Sequence, residues 1–187
     1  MDVLLTSLEG VLLVEPDVFH DNRGYFTEIY KKSGYNKLKI ERDFVQDNLS
    51  YSIKGVIRGL HYQVKQKQAK LIKVISGEIF DVAVDLRPDS PNFGKWESFI
   101  LSDKNNRQIF IPEDFAHGFC VLSETAHLLY KCTDYYYPGD EGGIIWSDPI
   151  LNIRWPVQDP IVSEKDKKLP AFSDIFGKIR RSGLLQE

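Results

Sequence analysis

The chain has 187 residues, which is enough for one domain with a substantial core and short for two. Its hydrophobic content of 42% and charged content of 27% are ordinary for a folded protein and exclude an intrinsically disordered chain. A formal net charge of −3 excludes the broad basic surface of a nucleic-acid-binding protein, so any phosphate-binding charge must be local. We therefore predict a single domain over 1–187.

The cysteines and the apolar segments indicate the cellular compartment. Cys120 and Cys132 follow no secretory signal, because the apolar start carries acidic residues early and lacks a basic segment. No apolar run reaches the length of about 18 residues that a membrane-spanning helix needs. These features predict a cytoplasmic protein with free thiols and no membrane association.

In chain order, the β-strand signals begin in the middle of the sequence. The segment 56–63, VIRGLHYQ, and the segment 70–75 are rich in β-forming residues. Over 78–86 the apolar residues repeat with a period of two, which predicts a strand with one apolar face. Further short strands are predicted over 96–101, 108–111, 118–122 and 125–133.

Clusters of Asp, Asn, Pro and Gly separate these strands, among them RPDSPNFG, PEDFAHG and YPGDEGG. Helix signals are confined to the tail, where SEKDKK and SDIFGKIRR each begin at a serine suited to capping. The pattern predicts an all-β sandwich or barrel with a short helical C-terminal tail. The space between two sheets is where such a fold binds a small ligand.

His61 lies on the predicted strand 56–63 and shares a face with Ile57 and Gly59. A glycine two positions away removes a side chain from that face and leaves room for a ligand. Imidazole titrates near neutrality, which suits a general base. The alternative from spacing alone is a structural histidine with one satisfied hydrogen bond.

Asp166 follows Ser163 by three residues, which is the spacing of a helix capping box. The alternative is that Asp166 pairs with His61, fixing its tautomer and stabilising the imidazolium. Spacing alone favours the capping box, and the two interpretations stay open.

Tyrosines and a lysine supply further candidates. Tyr130 shares a strand face with Leu128 and Cys132, so it is either a core residue or a phenol that faces a pocket. Of the adjacent Tyr135, Tyr136 and Tyr137, one is a candidate platform for stacking a base. Lys70 alternates with Ile72 and Val74, an unusual place for an ammonium group.

Other polar residues are candidates for binding a charged ligand. Arg23 and Arg58 offer guanidinium groups for phosphate, or are ordinary surface arginines. Gln46, Asp47 and Asn48 form a polar cluster suited to hydrogen-bonding a ligand, or to a turn.

Several strings occur together in a fixed order: DNRGYFTE, FVQDN, GVIRGLHYQ, QAKLIKV, GEIFDVAVDLR, SPNFGKW, IPEDFAHGF, LLYKCTDYY, DEGGIIWSDP, IRWP and SEKD. The ordered set resembles the dTDP-4-dehydrorhamnose 3,5-epimerase family from about residue 5 to about residue 170. The resemblance implies a cupin jelly-roll β-sandwich without cofactor or metal. It implies epimerisation of dTDP-4-dehydro-6-deoxy-D-glucose at carbons 3 and 5, giving dTDP-4-dehydro-L-rhamnose for dTDP-L-rhamnose and cell-surface polysaccharide.

The resemblance also implies roles for single residues. His61 in RGLHYQ matches the family's base, Asp166 in SEKD its partner, Tyr130 in LLYK the proposed acid, and Lys70 in QAKL the residue near the enolate oxygen. Tyr136 matches a tyrosine beside the thymine. The remaining matched positions are nucleotide-sugar contacts: Arg23, Glu28, Gln46, Asp47, Asn48, Arg58, His117, Glu141 and Lys165.

A homodimer is implied as well, because the N-terminal strands of the family cross to the other subunit. Arg23 and Glu28 are therefore expected to serve either their own site or the neighbour's. The segment after Pro170, including GKIRRSG, is less family-like and is given no role.

Three alternatives to this function remain. A metal-dependent cupin, such as a sugar isomerase or dioxygenase, usually carries a His-x-His pair, but Tyr62 and Gln63 follow His61 here. A non-catalytic cupin that binds a nucleotide sugar would not need the whole set of His61, Asp166, Tyr130 and Lys70. A 3-epimerase or ketoisomerase acting on a related dTDP-linked 4-keto-6-deoxy sugar shares much of the same pattern.

Overall fold

A computed structural model describes residues 1–183, and residues 184–187 of the predicted domain lie outside the described residues. Two antiparallel sheets face each other across a shared core, which confirms the predicted β-sandwich. The strands are β1 Asp2–Leu5, β2 Leu12–Glu15, β3 Val18–Asp21, β4 Gly24–Thr27, β5 Gln46–Ile53, β6 Val56–Gln63, β7 Lys70–Ser76, β8 Glu78–Asp85, β9 Trp96–Ser102, β10 Gln108–Ile111, β11 Phe115–Val121, β12 Thr125–Cys132, β13 Glu141–Gly143 and β14 Ile161–Val162.

The strand order locates the strands that carry the site. The first sheet has the order β1-β2-β10-β7-β12-β5, and the second has the order β13-β6-β11-β8-β9. The short strand β14 adds to β6 in parallel, and β3 and β4 pair as a separate hairpin. Across the core, β7 contacts β9 and β12 contacts β8, while β6 joins β7 and β12 in lining one cavity between the sheets.

Strand β8 is buried on both faces, so the expectation of a single apolar face over 78–86 is wrong. Ile79 and Ala83 point into the core between the sheets, while Val82 and Val84 pack in a second cluster behind the sheet. This second cluster exists because the C-terminal segment covers the outer face of the sheet with Phe172. Burying each of the larger side chains, Ile79, Val82 and Val84, stabilises the fold by roughly 1.5–3 kcal/mol.

Strand β11 begins at Phe115, three residues earlier than the predicted start at 118. The prediction placed a turn over the whole of PEDFAHG, but the observed turn includes only the residues before Phe115, among them Asp114 with a positive φ of 63°. The apolar residues that follow pair fully with β8, so tertiary pairing overrides the local turn signal.

Helix α1, Lys32–Lys37, contradicts the prediction that helices are confined to the tail. Its sequence is poor in strong helix formers, so tertiary contacts hold it. Tyr35 is buried, and its single O–H has two acceptors within reach, the Ile29 carbonyl oxygen at 3.0 Å and Gln108 Oε1 at 2.9 Å.

The predicted helical tail is confirmed as a 3-10 helix, Asp166–Lys168, and helix α2, Phe172–Gly183. Helix α2 begins one residue before the expected serine cap at Ser173. The Phe172 N–H donates instead to the buried carboxylate of Asp148 at 2.7 Å. A distant acid thus replaces the local cap, which the sequence pattern did not reveal.

Within residues 1–183, no helix combines the length and the apolar character that crossing a membrane requires. The cytoplasmic location remains a prediction.

Candidate active site

A cavity opens between the two sheets and has two adjoining lobes. The larger, which we call the Arg58 lobe, has a volume of about 520 Å³, and the other, the Tyr136 lobe, about 330 Å³. His61, Lys70 and Tyr130 line both lobes and therefore lie at their junction. Volumes of this size are typical of small-molecule sites.

A β-bulge in β6 directs His61 into this cavity. In the register with β11, His117 lies opposite His61 and Phe119 lies opposite Arg58, so two residues of β6 face Gly118 alone. His61 lines the cavity together with Arg58, and Ile57, which also borders the Arg58 lobe, packs against Cys120 in an outer cluster. The bulge interrupts the regular alternation from which the shared face of His61, Ile57 and Gly59 was predicted.

Gly59 also serves a different purpose from the one predicted. A Cβ atom at Gly59 would lie 2.6 Å from the His117 carbonyl oxygen and 2.6 Å from the Gly118 Cα. The missing side chain therefore admits the neighbouring backbone of β11 rather than a ligand.

His61 and Asp166 form a close pair although 105 residues separate them in the chain. His61 Nε2 lies 2.8 Å from Asp166 Oδ1, and the Gly59 N–H donates to Asp166 Oδ2 at 3.2 Å. Because an ionised carboxylate only accepts, the imidazole donates its Nε2–H and keeps Nδ1 free. Burial acts to raise the pKa of Asp166, but hydrogen bonds from His61, Gly59 and Ser163 hold it below its ordinary value.

Both sequence interpretations of Asp166 are partly present. The Asp166 N–H donates to Ser163 Oγ at 3.0 Å, which is one half of a capping box. The carboxylate also accepts hydrogen bonds from His61 and from the Gly59 N–H, so the same residue serves the imidazole.

A second carboxylate, Glu141, lies on the other side of the imidazole. Glu141 Oε1 is 3.7 Å from His61 Nδ1, and Glu141 Oε2 accepts hydrogen bonds from Lys165 Nζ and, at 3.1 Å, from the Tyr136 hydroxyl. Burial acts to raise the pKa of Glu141, but Lys165, His61 and Tyr136 lower it overall. The predicted Glu141, Lys165 and Tyr136 thus form one connected group beside His61.

Lys70 and Tyr130 approach from the opposite sheet, on β7 and β12. Within residues 1–183, neither the Lys70 ammonium nor the Tyr130 hydroxyl forms a hydrogen bond. Burial lowers the pKa of Lys70 and raises the pKa of Tyr130, while the thiol of Cys132 and the carboxylates of Asp81 and Glu141 act to raise the pKa of Lys70. The cavity therefore presents a lysine amine and a protonated phenol, both without a hydrogen-bond partner within the described chain, across from the imidazole.

His117 also lines the Arg58 lobe, and a buried acid that the sequence reasoning missed holds it there. Asp81 on β8 is fully buried, and its Oδ2 lies 2.8 Å from His117 Nε2. The other oxygen, Oδ1, is buried without a hydrogen-bond partner within the described chain. Asp81 looked like an outward residue because it alternates with apolar positions, so no local signal marked it.

The polar cluster at 46–48 divides between the two faces of β5. Gln46 and Asn48 line the Tyr136 lobe, whereas Asp47 points to the opposite face and pairs with Lys131 at 2.9 Å. The alternation of side chains along a strand makes this division unavoidable. Asp47 therefore does not reach the cavity.

Arg58 is exposed at the mouth of its lobe and is held by β5. Its Nε donates to Ser52 Oγ at 2.9 Å, and its Nη2 donates to the Tyr51 carbonyl at 3.1 Å. Ser50 also lines the lobe, and its hydroxyl is buried without a partner within residues 1–183. The sequence reasoning did not select Ser50, because a serine on a strand has no distinguishing pattern.

Arg23 and Glu28 do not line either lobe. Arg23 lies in the β3–β4 hairpin, where its guanidinium pairs with Asp21 at 2.5 Å. Among the three adjacent tyrosines, Tyr136 lines the cavity and Tyr135 and Tyr137 do not, although all three side chains are exposed.

Among residues 1–183, no group of three or more His, Cys, Asp or Glu side chains is arranged to hold a metal ion. The donors nearest His61 are two carboxylates that already bind its imidazole or Lys165. The prediction of metal-independent activity remains to be tested directly.

Comparison with known proteins gives consistent matches over most of the chain. The family model of dTDP-4-dehydrorhamnose 3,5-epimerase matches residues 5–174. The dTDP-4-dehydrorhamnose 3,5-epimerase of Neisseria gonorrhoeae is 52% identical over 89% of this chain, which spans 51% of that longer relative. The enzyme of the same name from Methanothermobacter thermautotrophicus is 51% identical over 87% of this chain and 89% of its own length.

A solved structure has the same architecture. It is the dTDP-6-deoxy-D-glucose-3,5-epimerase RmlC of Legionella pneumophila in complex with dTDP-4-keto-L-rhamnose. Its TM-score with this chain is 0.91 at 46% sequence identity, covering 95% of this chain and 96% of that one.

Proposed function

The chain belongs to the dTDP-4-dehydrorhamnose 3,5-epimerase family, and on that premise we propose that it inverts carbons 3 and 5 of dTDP-4-dehydro-6-deoxy-D-glucose to form dTDP-4-dehydro-L-rhamnose. The observation that carries the proposal is the His61–Asp166 pair at 2.8 Å, facing Lys70 and Tyr130 across one cavity. These groups supply the base, the cation and the acid that an epimerisation beside a ketone requires.

His61 is the proposed base. The hydrogens at carbons 3 and 5 are acidic because they flank the ketone, and removing either one produces an enolate. Asp166 accepts the Nε2–H of His61, so the Nδ1 lone pair is free to take the proton. Asp166 then stabilises the imidazolium that forms, and general base catalysis of this type contributes roughly two to four orders of magnitude.

Lys70 is the proposed stabiliser of the enolate. The charge of an enolate lies mainly on its oxygen, so a fixed cation there acts where charge develops. Lys70 fits this role because its ammonium lines the cavity and is unpaired within the described chain.

Tyr130 is the proposed acid. Inversion needs the proton to return from the opposite face of the sugar ring. His61 and Tyr130 belong to opposite sheets, so a sugar between the sheets presents one face to each. Burial raises the pKa of Tyr130, which keeps the phenol protonated and able to donate.

The dTDP portion of the substrate gives the enzyme binding energy that holds the small sugar in register. We assign the base ring to Tyr136 with Gln46 and Asn48, and the diphosphate to the cations Arg58 and Lys165. His117 and Glu141 complete the proposed contacts around the sugar. This arrangement explains how a chain with a net charge of −3 binds a diphosphate.

A homodimer would complete the site with Arg23 and Glu28, which do not line the cavity of their own chain. Within residues 1–183 the hairpin that carries Arg23 pairs with no other strand, and its Phe19 and Phe26 are 62% and 68% exposed. The outer face of β5 is also apolar and exposed at Leu49 and Tyr51. Exposed apolar residues on these two features favour burial against a second copy.

Mixed dimers test this assignment. An Arg23→Ala chain and a His61→Ala chain, each inactive alone, are co-expressed with different tags. If Arg23 serves the neighbouring site, each heterodimer has one complete site and random assembly restores about a quarter of wild-type activity. No recovery in a purified heterodimer would place Arg23 in its own chain's site, and a monomeric wild type would reject the dimer altogether.

The reaction itself is tested by NMR of the product after incubation with dTDP-4-keto-6-deoxyglucose in deuterated water. The proposed enzyme places deuterium at carbons 3 and 5 and inverts both. Labelling and inversion at carbon 3 alone would replace the double epimerase by a 3-epimerase, and a shifted keto group would indicate a ketoisomerase.

A further inference from the structure

Gln63 is the last residue of β6, two positions after His61, and its side-chain amide is fully engaged. Its Nε2 donates to the carbonyls of Gln66 at 2.5 Å and Tyr135 at 3.1 Å, and its Oε1 accepts the Tyr137 N–H at 2.9 Å. An amide group has two N–H donors, and both are used here. Gln63 is buried and borders the Tyr136 lobe, yet it has no donor left for a ligand.

These hydrogen bonds hold both neighbours of Tyr136. Gln63 fixes the backbone of Tyr135 and Tyr137, and Gln46 Oε1 accepts the N–H of Tyr136 itself at 2.9 Å. The side chains of all three tyrosines are exposed, so apolar burial contributes little to ordering this segment. Its conformation therefore depends on hydrogen bonds to the backbone.

We propose that Gln63 is a positioning residue that fixes Tyr136 as a preformed platform for the base of a nucleoside diphosphate sugar. This inference rests on the proposed function, which places the base ring at Tyr136. Because Gln63 and His61 lie on the same strand, the hydrogen bonds of Gln63 set the distance between the Tyr136 platform and the catalytic imidazole. The nucleotide is then held where its sugar meets His61, without an ordering cost for the loop at binding.

Binding of dTDP, measured by calorimetry, tests the proposal without depending on turnover. Gln63→Ala removes the three hydrogen bonds and is expected to weaken dTDP binding by about tenfold. The kcat/KM for the dTDP sugar should fall by a similar factor, while kcat at saturating substrate changes much less. The matched control is Gln66→Ala, which removes an exposed glutamine side chain from the loop after β6 and should bind dTDP like the wild type.

A double-mutant cycle with Tyr136→Ala decides whether Gln63 acts through that platform. If it does, adding Gln63→Ala to Tyr136→Ala weakens dTDP binding by less than about twofold further, because the two act as a unit. A full tenfold loss in the Tyr136→Ala background would overturn the proposal, as would unchanged dTDP binding by Gln63→Ala.

Gln63→Met keeps the length and volume of the side chain and removes only its hydrogen bonds, so it serves where the alanine variant fails to fold. Unfolding of both variants would make Gln63 a residue of the fold and reject the positioning role. Failure of the wild type to bind dTDP would instead reject the proposed nucleotide, which separates the two conclusions.

Discussion

Replacing Asp166 by asparagine tests the dyad most directly, because the change removes the charge and keeps the shape. The carbonyl oxygen of the introduced amide can still accept the Nε2–H of a neutral imidazole, while its NH2 group takes the place of the oxygen that accepts the Gly59 N–H at 3.2 Å. The change therefore costs that one hydrogen bond, and the fold should persist because the side-chain volume is unchanged. The variant loses the attraction between the carboxylate and the imidazolium that forms when His61 takes the proton.

The size of the loss follows from the 2.8 Å contact between His61 and Asp166 and from the low exposure of the carboxylate. At an effective dielectric constant of about 20, charges roughly 4 Å apart attract by about 4 kcal/mol. Partial solvation of His61 reduces this to about 2–4 kcal/mol, which corresponds to a fall in kcat of roughly 30-fold to 10³-fold. The affinity for dTDP should change little, because Asp166 binds the imidazole rather than the nucleotide.

Steady-state kinetics of Asp166→Asn, His61→Ala and the double variant measure the coupling. Residues that act as a unit give a double variant about as impaired as the worse single one. If the fold-losses in kcat of the two single variants multiply in the double variant, His61 and Asp166 act independently. Normal turnover in Asp166→Asn together with a lower Tm would restrict Asp166 to its contact with Ser163 as a helix cap.

Four further outcomes are expected. Tyr130→Phe removes one hydroxyl and keeps the packing, so NMR in deuterated water should show exchange at carbons 3 and 5 of the sugar with little inversion. Normal inversion would mean that Tyr130 is only a packing residue of the core. Treatment with a chelator should leave activity unchanged, and a loss restored by a divalent metal would refute the metal-free assignment. Burial lowers the pKa of Lys70, and the Asp81 carboxylate opposes this effect. Asp81→Asn should therefore move the alkaline limb of the pH profile of kcat to lower pH. An unchanged limb would show that Asp81 does not influence the pKa of Lys70. Burial acts to raise the pKa of Asp85, but hydrogen bonds, led by the one from Arg87, lower this pKa below the ordinary value of 3.8. The ionised carboxylate therefore stabilises the fold fully above pH 3.8, and this stabilisation is lost in stronger acid. Asp85→Asn should flatten the dependence of the free energy of unfolding on acidic pH, and an unchanged slope would contradict this.

Several strands of the sandwich were predictable because their signals are local. The segment 56–63 coincides with β6, and 108–111 coincides with β10, since apolar runs between clear turns specify strands without reference to the rest of the chain. The direction of a side chain was less predictable. A bulge at Gly59 and Leu60 is a property of the pairing with β11, so the face of His61 could not be read from alternation in β6 alone.

The pairing of His61 with Asp166 shows the limit of spacing arguments. Spacing favoured a capping box for Asp166, and the Ser163 contact that spacing predicts is indeed formed. The carboxylate nevertheless binds a histidine 105 residues away, which only the fold brings near. Resemblance to a family, rather than any local pattern, selected this partner.

Strand β5 shows one reason why residues 1–55 gave no strand prediction. Its polar residues Gln46, Asn48 and Ser50 face the cavity, while its apolar residues Leu49 and Tyr51 are exposed. This is the reverse of the usual pattern, in which the apolar face of a strand lies inside. A cavity that binds a polar ligand needs polar residues on its wall, and an apolar outer face needs a cover. The reversed pattern of polar and apolar faces that concealed β5 in the sequence therefore supports both a polar substrate inside the sandwich and a second subunit outside it.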